Sequence, residues 1–280
     1  MNEKGLLSIG DICMETGLTV DVVRAWERRY GFPVPVRLPS GHRRYSEVDL
    51  ARLRLMAQAV AHGHRAARVV RSEDASLRRL IMPHEDPRIE QLFSSVVAMD
   101  GDAITLRLRS YLMESGWEAL LRQVVAPLLD RVGVAWADGT IEIHHEHLLS
   151  EIMEDFLRAL RQEYHPIPGR GRVLLCTLPT ERHRLGLLMA ALAYAAHGAR
   201  TNLLGVDLPI ASIAQTARSL QVDRVAVSLS IQSTGESVRR MIIDLRDRLP
   251  GEIRLLVGGK GAARTRQVKG VERVDELNVA

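Results

Sequence analysis

The stretch Val173-Leu-Leu-Cys-Thr-Leu-Pro-Thr-Glu-Arg-His-Arg-Leu-Gly186 decides the fold of the second half of this 280-residue chain. It begins with a short apolar run, passes through a loop that contains a proline, and ends where a helical pattern starts. A short apolar run is typical of a strand buried on both faces, and the change to a helical period indicates a strand followed by a helix. The stretch therefore predicts one unit of a parallel sheet.

The same alternation of strand and helix continues to the end of the chain. Strands that alternate with helices form a parallel sheet with helices on both of its faces. The pattern predicts an α/β domain with a parallel sheet over residues 169–280. The expected strands are Val173–Leu178, Thr201–Val206, Arg224–Leu229, Ile253–Val257 and a fifth near Val271–Val274, and the expected helices are 184–197, 209–220 and 234–249.

Upstream of this domain, residues 88–165 have a helical pattern throughout. Helices near 88–99, 102–115, 117–134 and 140–164, separated by glycine-containing breaks, predict a four-helix bundle. The proline-rich segments Pro83–Pro87 and Pro166–Gly171 are expected to be linkers on either side of the bundle.

The first 80 residues form a third domain, in which Ser8, Thr19 and Ser46 are good helix N-caps. Helices are expected over Ile9–Glu15 and Val20–Tyr30, a hairpin over Leu38–Tyr45, a third helix after Ser46, and a weaker helix over 66–80. This order predicts a winged helix-turn-helix. The whole chain is therefore expected to be a multidomain protein of the α plus α/β class.

The formal net charge of +4 is divided unequally between these domains. Residues 1–80 contain 14 Lys and Arg against 9 Asp and Glu, a net of +5, whereas residues 81–280 contain 24 against 25, a net of −1. A basic domain attached to a neutral body suggests an anionic polymer as partner. A solvated arginine-rich face is the simpler alternative.

Composition excludes several other classes of protein. No apolar run approaches the roughly 20 residues of a membrane span, and the N-terminus lacks the apolar stretch of a signal peptide. Cys13 and Cys176 are alone and far apart, so neither a disulfide nor a zinc knuckle is expected. We expect a cytoplasmic protein with no membrane association.

Chemistry-bearing residues follow the first expected strand of the α/β domain. Ligands of such sheets bind at the carboxyl ends of the strands. A carboxylate two residues before a histidine, as in Glu181-Arg-His183, can accept the ring N–H and leave the second ring nitrogen for a metal. A surface histidine with no such role is the alternative.

A second group of polar residues lies in the expected bundle. Trp136 is followed after nine residues by Glu146-His147, with a helix break between them. The run His144-His-Glu-His147 also suggests zinc, but successive helical residues point about 100° apart, so only His144 and His147 share a face. A polar helix face beside a buried tryptophan is the alternative.

The first domain closely resembles the DNA-binding domain of the MerR family of bacterial regulators over about residues 7–75. The resemblance joins the helix Val20–Tyr30, the Gly-x-Arg-x-Tyr wing at Gly41–Tyr45 and the Asp-Leu helix start at 49–50. It implies binding to double-stranded operator DNA. Gly63 and two prolines interrupt any long dimerisation helix, so self-association is expected from residues 88–280. The implied DNA contacts are Arg24, Arg28, Arg43 and Tyr45.

The remainder of the chain resembles the cobalamin-binding module of methionine synthase and of the CarH/LitR-type light-responsive repressors. This resemblance implies a helical bundle followed by a flavodoxin-like or Rossmann-like domain. The matching motifs occur in the family's order. They are Trp136 with Glu146-His147, Glu181-x-His183-x-x-Gly186, Ser228-Leu-Ser230 and Gly258-Gly259.

This resemblance implies adenosylcobalamin as cofactor, with His183 as lower cobalt ligand and Glu181 orienting its ring. The nucleotide tail of the cofactor would enter the α/β domain, where Gly186 opens a helix and leaves room for a bulky ligand, and the bundle would cap the upper face of the corrin. The implied tail contacts are Ser228, Ser230, Gly258 and Gly259, and the implied contacts with the adenosyl group are Trp136, Glu146 and His147.

By the same resemblance, the protein is a repressor and not an enzyme. The cofactor drives assembly of a dark, DNA-binding homotetramer, and light that breaks the cobalt–carbon bond disassembles it. One residue departs from the pattern: Ala137 stands where light sensors of this type carry an upper histidine ligand. The alternative is therefore a MerR-type regulator that senses cobalamin, haem or a bilin without this photoswitch.

Overall fold

The computed structural model describes residues 6–61, 63–81, 86–231 and 233–274. Most of the expected linker 83–87 lies outside these residues. The chain divides into two compact units. Unit 1 comprises Met1–Glu114 and Arg122–Leu149, and unit 2 comprises Ser115–Leu121 and Ser150–Ala280.

The first part of unit 1 has the order of a winged helix-turn-helix. Ser8 forms a capping box with Asp11, and the Thr19 side chain accepts a hydrogen bond from the second helix, so both helices begin where the caps predict. The elements are α1 (Ile9–Thr16), α2 (Val20–Tyr30), β1 (Val36–Arg37), β2 (Arg43–Arg44), α3 (Glu47–Ala61), α4 (Ala66–Arg71) and α5 (Asp74–Ile81).

The prediction of a single weak helix over 66–80 is wrong, because the structure has two short helices there. Ser72 between them has an extended backbone (φ −80°, ψ 144°). The Arg52 guanidinium donates to the Ser72 carbonyl at 2.9 Å and to the Asp74 carboxylate at 2.5 Å, so α3 holds the break in place.

Four long helices follow, as the helical period predicts. The expected helix 117–134 differs, because a π-helical turn, Leu120–Val125, precedes the third of the four. Pro127 has no N–H for the carbonyl four residues earlier, which accounts for the departure from α-helical bonding. The helices are α6 (Pro87–Val97), α7 (Gly101–Ala119), α8 (Ala126–Ala137) and α9 (Ile143–Gln162).

The described part of unit 2 contains the predicted parallel sheet, including its fifth strand. The strand order is β4-β3-β5-β6-β7, which is the flavodoxin-like order. The chain reverses its direction across the sheet between β3 and β5, so the loops after these strands meet at a topological switch point. The elements are β3 (Arg172–Cys176), α10 (Leu185–Ala196), β4 (Arg200–Gly205), α11 (Ile210–Ser219), β5 (Arg224–Ser228), α12 (Glu236–Arg248), β6 (Arg254–Gly258) and β7 (Val271–Val274).

One hydrophobic core in unit 1 joins the winged helix to the bundle. It contains Leu53 and Met56 of α3 together with Val134 and Ala137 of α8, all of which are buried. The C-terminal part of α8 therefore packs as a component of the winged-helix core. None of the helices within the described residues is long and apolar enough to cross a membrane.

Candidate functional site

The loop after β3 holds Glu181 and His183 in contact with each other. Nδ1 of His183 lies 2.6 Å from Oε1 of Glu181, and the His183 backbone N–H donates to the same oxygen at 2.8 Å. Glu181 is buried, with 2% of its surface exposed, whereas the His183 side chain is 54% exposed. With Nδ1 held by a carboxylate, Nε2 is the ring nitrogen that is suited to bind a metal.

Glu181 also connects the two loops of the switch point. Its second oxygen, Oε2, accepts a hydrogen bond of 2.8 Å from the backbone N–H of Ser230, which follows β5. Burial acts to raise the pKa of Glu181, but hydrogen bonds from His183, Ser230 and Ser233 outweigh it and lower the pKa to about 2. Glu181 is therefore ionised at neutral pH, and its charge favours a proton on Nδ1 of His183.

Glycines shape the loop after β6. A Cβ at Gly259, where φ is +87°, would lie 2.5 Å from the Leu229 carbonyl oxygen. A Cβ at Gly261 would lie 2.1 Å from the Ser230 carbonyl oxygen. Side chains are thus excluded where this loop meets the loop after β5. At Gly258 the nearest atom is 3.5 Å away, so only the second glycine of the predicted pair is sterically required.

Gly186 and Ser228 also come together in unit 2. A Cβ at Gly186, in the first turn of α10, would lie 3.2 Å from Oγ of Ser228 at the end of β5. The structure therefore assembles the predicted residues of the α/β domain at one edge of its sheet, from the ends of three strands. These residues are Glu181, His183, Gly186, Ser228, Ser230, Gly258 and Gly259.

The predicted bundle residues lie in unit 1. Trp136 is one residue from the end of α8, and the Arg54 guanidinium lies 4.0 Å from the centroid of its ring. Arg54 also pairs with Glu15 of α1 at 2.5 Å. The contact of Trp136 with the winged helix was missed from the sequence, because the two residues are more than 80 positions apart.

Glu146 and His147 occupy the first turns of α9 and are 3.7 Å apart, from carboxylate to Nε2. The nearby rings of His144 and His145 stack at 4.1 Å between centroids. Throughout the part of the chain that the structure describes, no group of three or more His, Cys, Asp or Glu could hold a metal ion. The zinc interpretation of this run therefore has no support.

The winged helix presents arginines on an exposed face of α2. Arg24 and Arg28 are four residues apart, so they lie on one side of the helix, and both are exposed. Arg43 of the wing donates from Nε to both carboxylate oxygens of Glu27 at 3.0 and 3.2 Å. This pair fixes the wing against α2, so the Arg43 guanidinium already has one hydrogen-bond partner within the protein.

The expected DNA contact of Tyr45 does not agree with its position in the structure. Its side chain is fully buried in the winged-helix core, and its hydroxyl has no hydrogen-bond partner among the described residues. A side chain without exposed surface does not reach DNA in this conformation. Burial raises the pKa of the Tyr45 hydroxyl. Trp26 of α2 is buried in the same core.

Comparison with known proteins extends these observations. Residues 7–75 match the model for MerR HTH family regulatory proteins, and residues 88–161 and 171–272 each match a B12 binding domain. The chain is 32% identical over 271 residues to the HTH-type transcriptional repressor CarH of Myxococcus xanthus, which covers 90% of this chain and 87% of that protein. It is 32% identical over 218 residues to the repressor CarA of the same organism, covering 74% and 70%.

A solved structure agrees with the fold. The monomethylamine corrinoid protein of Methanosarcina barkeri matches 68% of this chain and 93% of its own length, with a TM-score of 0.54. At 14% identity this likeness supports the fold alone.

A winged helix-turn-helix followed by two B12 binding domains defines a class, the DNA-binding transcriptional regulators with a cobalamin-binding module. The chain belongs to the family of MerR-type regulators of this class, together with CarH and CarA.

Proposed function

We propose that this protein is a transcriptional repressor that binds operator DNA and adenosylcobalamin, and that light acting on the bound cofactor controls its oligomeric state. The observation that carries the proposal is the contact of buried, ionised Glu181 with exposed His183 at the switch point of a B12 binding domain. A histidine ring fixed in this way is suited to act as a single metal ligand.

The residues present fit the cofactor. Nε2 of His183 would hold the cobalt, and Glu181 would keep the ring oriented. The nucleotide tail would lie beside Gly186, Ser228, Ser230 and the Gly258-Gly259 backbone, which lie at or after the carboxyl ends of β3, β5 and β6. When bound, adenosylcobalamin supplies a cobalt–carbon bond that green or blue light breaks.

The proposal assigns the remaining residues as follows. Arg24 and Arg28 contact DNA directly, and Arg43 contacts it while paired with Glu27. Trp136, Glu146 and His147 contact the adenosyl group. Residues 1–80 bind DNA, 88–165 cap the cofactor, and 169–280 hold it, while the last two regions form the homo-oligomer. None of these roles requires a catalytic base, so we propose that the protein is not an enzyme.

A second candidate function is favoured by Ala137. This residue is 1% exposed and packs in the winged-helix core, so it neither supplies nor leaves space for an upper histidine ligand. On this alternative the protein regulates transcription in response to cobalamin, haem or a bilin, without the photoswitch of related light sensors.

The visible spectrum of the full chain tests the proposal. Purified protein is mixed with adenosylcobalamin in the dark, and its spectrum and size-exclusion profile are recorded before and after green light. We expect a base-off spectrum in the dark and a smaller assembly after illumination. His183→Ala should weaken binding by about tenfold or more, whereas His165→Ala, which changes an exposed histidine of the same unit, should leave it unchanged.

Each outcome separates the candidates. Identical dark and light profiles with bound cobalamin would support the second candidate function. Binding of haem or a bilin in preference to cobalamin would do the same, and absence of binding to all three would reject both functions.

A further inference from the structure

Two residues with left-handed backbone lie beside the Glu181–His183 pair, in loops that follow neighbouring strands. Thr180, after β3, has φ +70°, and Asp207, after β4, has φ +57°. Aspartate adopts this conformation fairly often, but for a β-branched residue such as threonine it is a strained outlier. Strain of this kind persists only where neighbouring contacts hold it.

Asp207 makes those contacts. Its carboxylate accepts the Thr180 backbone N–H at 2.7 Å, and its own backbone N–H donates to the Glu181 carbonyl at 3.0 Å. It thus bonds the peptide groups on both sides of the Thr180–Glu181 linkage. The same N–H lies 2.9 Å from Oγ1 of Thr177, and that hydroxyl donates to the Glu181 carbonyl at 2.6 Å.

The consequence concerns the direction of the Glu181 side chain. Glu181 turns inward to bond both His183 and Ser230, and the backbone at Thr180 determines where the following residue points. Asp207 touches neither His183 nor Ser230 in any described hydrogen bond or ion pair. Its second carboxylate oxygen lies 3.5 Å from Nε of Arg182, whose side chain is 81% exposed, so this pair is weak and the effect of Asp207 on the site passes mainly through the loop backbone.

We propose that Asp207 is a positioning residue, which clamps the strained Thr180–Glu181 backbone so that Glu181 presents His183 to the lower face of the cofactor. The expected effect of Asp207 on cobalamin binding rests on the proposed function. Its expected effect on the loop of the cofactor-free protein does not.

Two substitutions separate the carboxylate from the backbone of residue 207. Asp207→Asn keeps a side-chain acceptor and tolerates positive φ, whereas Asp207→Gly tolerates positive φ and removes the acceptor. In the cofactor-free full chain, amide hydrogen exchange over residues 178–184 should stay slow in the asparagine variant. It should become at least about tenfold faster in the glycine variant, as loss of one hydrogen bond predicts.

Binding of adenosylcobalamin gives the second readout. We expect Asp207→Gly to weaken binding by about 10- to 100-fold, the usual effect of losing a residue that orients a metal ligand. The fraction of cofactor with the histidine-ligated spectrum should fall with it, and Asp207→Asn should rescue both. Asp244→Asn, at an exposed ion pair on α12, is the control for removing one aspartate charge.

Thr180→Gly tests the strain directly. Because glycine adopts positive φ without strain, the loop should no longer need the clamp. The effects of Asp207→Gly on exchange and on binding should therefore be smaller in the Thr180→Gly background than in the wild type. Equal effects in both backgrounds would overturn the proposal, as would wild-type exchange in Asp207→Gly.

Failure of the proposed function would look different. If the wild-type chain binds no cobalamin but its loop exchange follows the pattern above, the clamp stands and the cofactor assignment falls.

Discussion

At the scale of single residues, Tyr45 and Arg24 show that members of one sequence motif can have different roles. Both belong to motifs that resemble DNA contacts, and both lie in the winged helix. Arg24 is exposed on α2, whereas Tyr45 is buried beneath the wing with an unpartnered hydroxyl. The motif therefore combines exposed arginines, which we propose contact DNA, with a tyrosine that supports the wing from within.

Tyr45→Phe should separate these roles. The hydroxyl is buried without a partner, a state that costs about 1–3 kcal/mol, so its removal should leave the free energy of unfolding unchanged or higher. DNA affinity should stay at the wild-type value. Arg24→Ala should instead lower affinity for a duplex by about tenfold without changing the thermal midpoint. A loss of DNA affinity in Tyr45→Phe, measured by fluorescence anisotropy, would show that the Tyr45 hydroxyl contacts DNA.

At the scale of elements, α8 matters most, because it serves two parts of unit 1. Its residues Val134 and Ala137 are part of the winged-helix core, and its Trp136 stacks on Arg54 of α3. Such a cation–π contact contributes about 0.5–2 kcal/mol. The helix that carries the predicted cofactor contact is thereby packed directly against the DNA-binding helices.

Introducing a histidine at position 137 should therefore destabilise the protein. Ala137→His would force a larger polar side chain into a filled core, at a cost of about 1–3 kcal/mol from overpacking alone. Thermal unfolding of the cofactor-free chain should show a lower midpoint. Ala98→His, at an exposed position, is the matched control. An unchanged midpoint in Ala137→His would mean that α8 is not tightly packed at this position.

The whole molecule concentrates its positive charge in one region. Residues 1–80 carry a net of +5 and the remainder a net of −1, so a single winged helix has little charge with which to hold DNA. Several winged helices on one DNA would bind far more tightly than one, because each later contact is intramolecular. Control of assembly would then also control DNA binding.

The salt dependence of DNA binding tests this view of the assembly. The slope of log affinity against log salt counts the phosphates neutralised, so it should be steeper for the dark, cofactor-loaded protein than after illumination. Anisotropy with a labelled random-sequence duplex at several salt concentrations measures it. Arg28→Ala should reduce the slope by about 1 for each winged helix bound. Equal slopes in dark and light would show that assembly does not set the number of winged helices bound to one DNA.

Much of this architecture could be predicted because its signals are local. The capping residues Ser8, Thr19 and Ser46 mark the starts of helices, and the short apolar runs after residue 172 mark five parallel strands. The motifs shared with the family indicated that the cofactor is a cobalamin. The predictions failed where a tertiary contact decided the local structure, as when Arg52 held the break at Ser72.

By itself, then, the sequence determined the fold class of each region of the chain, the basic winged helix and the Glu181–His183 motif, because caps, periodicity and spacing act within a few residues. Only the tertiary structure decided that Tyr45 is buried, that Trp136 meets Arg54, and that Asp207 clamps the loop of Glu181. Each of these depends on side chains that are distant in sequence and brought together by packing. Such contacts leave no periodic signal in the chain.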